Sequence, residues 1–420
     1  MRNLKDALDY EIKVAKACRA CGSHSLKIAL KLAQMPPGDK YVESPEQVPK
    51  LNLPSDIQFC NTCGHIQMSG FTNPDYIYQT YLSRPATTNP ELKKVYMDYG
   101  RELKELSDGG GILEVGSNDG LFLEILKELD VNAVGIEPAT NLSKFAQERN
   151  VNTVHGYVDD ASVAKAISIL GENPSVILAN HSFSNVEDIQ NWAALLTDAL
   201  SVDGYLVVQT FYQLSVLENN LVENYNHEHL SYVMITEMSN FLGKYGMSLV
   251  EAKFISAKGG SIRLFFKKGK VGNKILSTST IELLGKEELA YKNIESLFAN
   301  NSLYIDQRRE QLRAVLNERE GDIAAYGTSI GATVFSYQFG ISDKISSFFD
   351  DDKLRQMRYS PGIGAKVLPG RSKEMHSFTK IIILAPLYAD AIIQNNEEYL
   401  EKGGTFVRFW PEVEEIRKGS

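Results

Sequence analysis

The chain runs to 420 residues, 43% hydrophobic and 23% charged, a soluble globular composition too long for one ordinary core, so two or three domains are expected. Its formal net charge of −9, spread without long runs of one sign, argues against a nucleic-acid partner, because a duplex binder needs a basic face. No apolar run approaches the thickness of a bilayer and the Met1–Asp6 segment lacks an apolar leader, so a cytoplasmic protein without membrane contact is expected; oligomeric state is not legible.

The first eighty or so residues are rich in turns (Pro36-Pro37-Gly38, Pro45, Pro49, Pro54) and bracket all four cysteines, which fall as Cys18-Arg19-Ala20-Cys21 and Cys60-Asn61-Thr62-Cys63. Two CxxC pairs deliver four soft thiolates to one tetrahedral metal, and a glycine follows each pair. Two disulfides are the competing reading, disfavoured in a compartment where thiols stay reduced. A structural Zn2+ on Cys18, Cys21, Cys60 and Cys63 is expected, standing in for a core that residues 1–88 cannot build alone.

A polar helix from Pro90 to Leu106 leads into an α/β rhythm. Strands are predicted at Gly111–Val115, Val131–Ile136, Val176–Ala179 and Tyr205–Thr210, with helices at Leu121–Leu129 and Ile189–Leu200. Met247–Ile255 and Ser261–Phe266 are then separated by five residues, too few for a parallel crossover, so they must pair antiparallel. A charged helical connector, Lys286–Glu320, precedes a second α/β unit with strands at Ile323–Tyr326, Ile345–Phe349, Ile381–Leu384 and Thr405–Phe409. The predicted domains are 1–88, 89–285 and 286–420.

Glu114-Val115-Gly116-Ser117-Asn118-Asp119-Gly120 reads as a strand end, a glycine turn and a helix start, and Glu137 closes the next strand, where a carboxylate can take both hydroxyls of a ribose. That layout fits NAD or S-adenosylmethionine (SAM). SAM is favoured because the turn is E-x-G-x-x-x-G rather than GxGxxG. Asp119 at the helix start would also repel a pyrophosphate, and an antiparallel hairpin closes the sheet. Asp159, after the strand-like Val154-His155-Gly156, is a candidate partner for the adenine amino group.

Two of the seven histidines lie in Asn226-His227-Glu228-His229-Leu230-Ser231-Tyr232. Spaced by two, they share a face if the segment is extended. A metal site lacks the i, i+4 spacing of HExxH, whereas an imidazole suits removal of a proton from carbon next to a carbonyl, with Glu228 orienting its neighbour. A polar capping loop is the bland alternative.

The whole chain resembles the SAM-dependent deoxysugar C-methyltransferases that make branched sugars of the mycarose and tetronitrose type. The resemblance rests on the paired CxxC module with Cys60-Asn61-Thr62-Cys63-Gly64-His65-Ile66-Gln67, on Glu114–Gly120, on Gly135-Ile136-Glu137-Pro138-Ala139 and on His227–Tyr232. It extends through Gly259-Gly260-Ser261-Ile262-Arg263, Tyr326-Gly327 and Arg358-Tyr359-Ser360-Pro361-Gly362. It implies a class I SAM methyltransferase Rossmann-like α/β domain, preceded by a small four-cysteine zinc domain and followed by a second Rossmann-like α/β domain. It also implies a nucleotide-linked keto sugar as substrate and His229 as the base that forms an enolate. His227 and Glu228 support that base, and Tyr81 lines the cleft. Pro138 and Asn180 join the cofactor residues. The chain departs from the family at Asn226 (usually tyrosine), Asn185 (usually histidine) and Lys258 (usually histidine). Asparagine keeps hydrogen bonding but cannot titrate, so methyl transfer to oxygen or nitrogen is the alternative to carbon. Tyr225, Asn185, Asn226, Lys258, Ser261, Arg263, Arg358 and Tyr359 are the candidate substrate contacts. Two readings are remote: a non-catalytic SAM-binding scaffold, and an oxidoreductase using a second, looser glycine turn, Gly327-Thr328-Ser329-Ile330-Gly331 with Asp350.

Overall fold

The computed structural model describes residues 11–49, 52–82, 90–256, 259–269, 276–316 and 323–419. The N-terminal unit is built of short strands: β1 (Lys13–Val14), β2 (Leu26–Leu30), β3 (Ile57–Cys60), β4 (Ile66–Met68) and β5 (Gly70–Phe71), followed by a one-turn helix α1 (Pro74–Tyr78). β1 pairs β5, and β2, β3 and β4 form an antiparallel sheet. These strands are too short to bury much, which is why the turn between β3 and β4 carries a cysteine pair.

After α2 (Pro90–Ser107) the chain lays down β6 (Ile112–Val115), α3 (Leu121–Glu128), β7 (Ala133–Glu137), α4 (Thr140–Glu148), β8 (Thr153–His155) and α5 (Asp160–Leu170). β9 (Val176–Asn180), α6 (Ile189–Ala199), β10 (Tyr205–Phe211), α7 (Gln213–Asn219), β11 (Ser231–Tyr232), α8 (Ile235–Gly243), β12 (Met247–Ile255) and β13 (Ser261–Lys268) follow. The sheet order is β12-β13-β10-β9-β6-β7-β8, parallel from β10 to β8, with β13 antiparallel to both neighbours, as the short connection requires. Strand residues alternate between two buried faces: Leu113, Val115, Ile177 and Ala179 enter one apolar cluster, Ile112, Val176 and Leu178 the other. The strand order reverses between β6 and β9, which opens a crevice at their C-terminal ends.

The predicted continuous connector is two helices, α9 (Thr278–Lys292) and α10 (Ile294–Val315), broken at Asn293, whose ψ of 18° is incompatible with one straight helix. The last unit contains β14 (Ile323–Tyr326), α11 (Ile330–Gln338), β15 (Ile345–Asp350), β16 (Lys366–Pro369), β17 (Lys380–Ile383), β18 (Thr405–Arg408) and β19 (Glu414–Ile416). Their order is β16-β15-β14-β17-β18-β19, parallel except for the final edge strand. No helix among the described residues is long and apolar enough to cross a membrane.

The sequence pattern does not announce how the units share elements. β11, from the middle of the chain, adds to the N-terminal sheet through β4, in the order β11-β4-β3-β2. The N-terminal segment around Ala33–Val42 packs on the last unit: Gln338 exchanges two hydrogen bonds with the Ala33 backbone, and Val42 pairs with Tyr359.

Candidate functional site

The two cysteine turns are copies of one another. Gly22 N–H donates to Cys18 O at 2.8 Å and Gly64 N–H to Cys60 O at 2.9 Å, both glycines having positive φ. All four sulfurs lie within 4.8 Å of one another, with Cys18–Cys63 at 3.6 Å and Cys21–Cys60 at 3.7 Å. A tetrahedron with Zn–S bonds of about 2.3 Å has edges of about 3.8 Å, whereas a disulfide needs about 2.05 Å. The donor set therefore fits zinc, and with four protein ligands it is a structural site.

The cofactor turn is built at the C-terminal end of β6. Gly116 has φ 76°, and a Cβ there would lie 2.7 Å from the Ser182 Cβ, so only glycine lets the β9 loop approach. Glu137, at the end of β7, clamps both sides of the crevice: its oxygens accept Asn118 N–H and Ala139 N–H, each at 2.8 Å. Glu114 is 3% exposed. One of its oxygens accepts the Asn180 amide at 3.0 Å, and the other is buried with no hydrogen-bond partner among the described residues. Burial, opposed by Asn180 and reinforced by Glu137 and Asp119, pushes this carboxyl up to about 7. An orphaned buried acceptor at the glycine turn suits a cation such as the ammonium of SAM's methionine.

Three cofactor candidates sit otherwise than the sequence suggested. Asp119 turns to Arg149, 3.1 Å away, so its charge is neutralised and no longer tells SAM from a pyrophosphate; the orphaned Glu114 oxygen does that instead. Asp159 caps α5 by accepting Ser162 N–H at 2.7 Å, a local role. Pro138 presents its carbonyl to His155 at 3.0 Å. Gly120, with φ 77°, lets α3 close on Ala146 of α4.

The His227–His229 segment is a turn, and its two imidazoles have separate partners. His227 is 1% exposed; its Nε2 lies 3.0 Å from Pro54 O, and burial pushes it down to about 4, so it is a neutral anchor to the zinc unit. His229 Nδ1 lies 2.9 Å from Asn224 O, a contact that only an N–H can make, and the longer 3.3 Å approach of the Asn226 amide does not displace it. The proton is thereby fixed on Nδ1 and Nε2 becomes the basic nitrogen. Glu228, 3% exposed, accepts the Tyr81 hydroxyl at 2.7 Å; burial and then Asp39 push it up to about 7, against Tyr81, Lys40 and Arg355. Asn185 has a buried amide oxygen with no hydrogen-bond partner among the described residues.

Other candidate substrate contacts prove to be supports. Tyr225 is 0% exposed and its hydroxyl donates to Asn301 of α10 at 3.0 Å, so it anchors the loop and does not reach a ligand. Ser261 is equally buried. Arg263 lies flat on Tyr99, 3.3 Å from the ring centroid, and binds Gln209 and Glu102. Arg358 contacts Tyr41 O and Glu43, and the Tyr359 backbone pairs with Val42. Lys258 lies outside the described residues.

Sequence reasoning missed Asp39, Lys40, Tyr78 and Arg355. Asp39 pairs with Arg355 at 2.8 Å and accepts Leu82 N–H, tying the N-terminal unit to the last one beside Glu228 of the middle unit. The Tyr78 hydroxyl donates to Glu228 O at 3.4 Å. The Asp39–Arg355 pair joins residues 316 apart, and no local pattern signals such a contact. The Gly327–Gly331 turn is covered by the same segment: Tyr41 OH donates to Thr328 O at 2.8 Å and Thr333 to Gly38 O, while Thr328 and Asp352 amides occupy Asp350. The turn thereby joins the last unit to the N-terminal one.

The fold and the orphaned acceptor at the glycine turn define a SAM-dependent methyltransferase with a structural zinc site. Three family profiles match in succession: a zinc binding domain at residues 18–78, a methyltransferase domain at 91–252, and a C-methyltransferase C-terminal domain at 256–411. These three domains in this order support a SAM-dependent C-methyltransferase. It is 25% identical over 403 residues to the C-methyltransferase NovU of Streptomyces niveus, covering 94% of this chain and 95% of that one. A malonyl-[acyl-carrier protein] O-methyltransferase from Calditerrivibrio nitroreducens is 25% identical over 135 residues, 32% of this chain and 50% of that one. A solved SAM dependent methyltransferase from Archaeoglobus fulgidus overlaps 42% of this chain and 94% of its own, at 15% identity and a TM-score of 0.35.

Proposed function

We propose that this cytoplasmic enzyme methylates carbon α to the ketone of a nucleotide-linked deoxysugar, with His229 as the base. The observation that carries the reading is the Nδ1–H···O=C bond from His229 to Asn224, which holds the opposite nitrogen in its basic form. That imidazole packs on Phe211, at the C-terminal end of β10 and beside the cofactor crevice. SAM, when bound, supplies an electrophilic methyl group. Glu114, Gly116, Asn118, Glu137 and Asn180 would hold it, and the chain's own residues do the rest. His229 Nε2 takes the proton from the acceptor carbon, whose electron pair then attacks the methyl in line. Glu228 and Tyr81 share a short hydrogen bond, and a carboxyl near 7 can hold or release a proton at neutral pH. Burial and the neighbouring Glu228 keep the Tyr81 and Tyr78 phenols well above their ordinary range, so both remain donors. Asn185 and Asn226 leave fewer titrating groups at the rim, which is what favours oxygen or nitrogen as the alternative acceptor.

The test uses SAM with a 13C methyl, a panel of dTDP-, GDP- and CDP-linked 4-keto sugars, and carbon NMR of the product. A high-field carbon-bound methyl is expected. His229→Asn is expected to bind SAM normally while losing at least about 100-fold in turnover, the scale of a general base. A methyl signal in the oxygen or nitrogen range would retire the enolate mechanism.

A further inference from the structure

Phe211 contacts a second imidazole. His181 follows directly on β9, at the point where the strand order reverses, and its ring lies 5.2 Å from Phe211, which in turn lies 4.8 Å from His229. Its backbone sits at φ 53°, a left-handed conformation uncommon for a side-chain-bearing residue, and is held there by a 2.7 Å bond from its N–H to Gln209 O. Strain of this kind persists where the surroundings over-determine it, and here they aim one side chain.

The protonation of that ring is set from behind. Arg263 has only donors, and its Nε is 2.8 Å from Gln209 Oε1, so the glutamine oxygen faces the arginine. The Gln209 amide nitrogen therefore faces His181 Nε2, 3.3 Å away, as a donor. Nε2 of His181 is the acceptor, and the neutral ring carries its proton on Nδ1 as a donor. Arg263 is itself fixed by Glu102 at 3.1 Å and by stacking on Tyr99. Two imidazoles thus contact one phenylalanine at the cofactor crevice, one held with a basic nitrogen and the other with a donor.

We propose that His181 is a further catalytic residue, the hydrogen-bond donor to the carbonyl oxygen of the acceptor, with Gln209 and Arg263 as its positioning residues. The assignment rests on the enolate reading given above. His229 removes the α-proton as negative charge moves onto the carbonyl oxygen, where the His181 Nδ1–H meets it. The carbonyl re-forms as the carbon–methyl bond is made, and the sulfur–methyl bond of SAM would break with its electron pair left on the thioether sulfur. The departing proton stays on His229 and His181 keeps its own, so atoms and charge balance.

The test measures exchange of the α-hydrogen into deuterated solvent without SAM, and methyl transfer with it, on whichever dTDP-, GDP- or CDP-linked 4-keto sugar the wild type accepts. His181→Ala is expected to slow both by about 100- to 1,000-fold, the effect of deleting one oxyanion donor, with SAM affinity by calorimetry within about twofold of wild type. His181→Asn, which keeps a donor, is expected to recover to within about tenfold of wild type. A C-methyl product made by His181→Ala at near wild-type rate overturns the assignment and leaves the reaction standing. His181→Asn as slow as His181→Ala, with SAM affinity intact, also overturns it. A wild-type product methylated on oxygen or nitrogen overturns the enolate reading and the assignment together.

Discussion

Glu114 shows what a binding site costs the free protein. In the unfolded chain a glutamate ionises near 4.5, whereas in the fold this carboxyl holds its proton to about 7. Between those values the unfolded state has already lost a proton that the folded state keeps. The fold therefore loses stability as pH rises through that window, by about 3 kcal/mol in total. Glu114→Gln should raise the melting temperature of the ligand-free enzyme at pH 8 and weaken SAM binding at least tenfold. On the proposed contact of this carboxylate with the ammonium, wild-type SAM affinity should rise from pH 6 to pH 8 as the carboxylate forms, and the variant's should not. A lower melting temperature for Glu114→Gln would mean that the charged form is already well partnered. The glycine turn and Glu137 were legible because local backbone geometry demands them. The Asp119–Arg149 pair was not, since residues 30 apart meet only when α3 and α4 pack.

At the scale of elements, the zinc unit and the strand that follows the His227–His229 turn are one sheet. β4 pairs with β11 in the register Ser231↔Gln67 and Tyr232↔Ile66, and Met68 N–H donates to Leu230 O at 3.1 Å. Behind this pairing, buried His65 lies 2.8 Å from Glu237 of α8 and 3.3 Å from Ser231. Losing the metal frees the turn between β3 and β4, and with it the strand that follows His229 directly. Cys60→Ser, or chelation of the zinc, should therefore increase amide hydrogen exchange across residues 228–233. Methyl transfer should fall at least about tenfold while SAM affinity changes little. Unchanged exchange in that segment would show that the turn is held by the methyltransferase unit alone. The sequence pattern placed the strands of both large sheets to within a residue or two, because long apolar runs bounded by turns have few alternatives, but it missed the edge strands β16 and β19. It could not place β11, two residues long, whose pairing depends on a distant partner.

One apolar cluster is shared by all three units. One buried cluster runs from Leu30 and Ile57 through Leu206 and Phe266 to Phe298, Phe335 and Phe409, crossing every unit. Polar clamps repeat the pattern: Asp39 with Arg355, Gln338 with Ala33, and Tyr225 with Asn301. Calorimetry of the zinc-loaded protein should give one cooperative endotherm, and removing zinc should lower that whole transition. Two well-separated endotherms would mean that the units unfold independently and that the shared cluster adds little.

Composition, the cysteine spacing and the glycine turns were sufficient by themselves for a zinc module, a SAM-type α/β domain and a second α/β unit, because each follows from constraints acting within a few residues. Tertiary structure alone decided which nitrogen of each of three imidazoles faces a partner. A histidine's tautomer is set by the group opposite its other nitrogen, and here those groups are Asn224 O, Pro54 O and the Gln209 amide. Two of the three come from other elements of the chain, brought close only when the sheets and loops have packed.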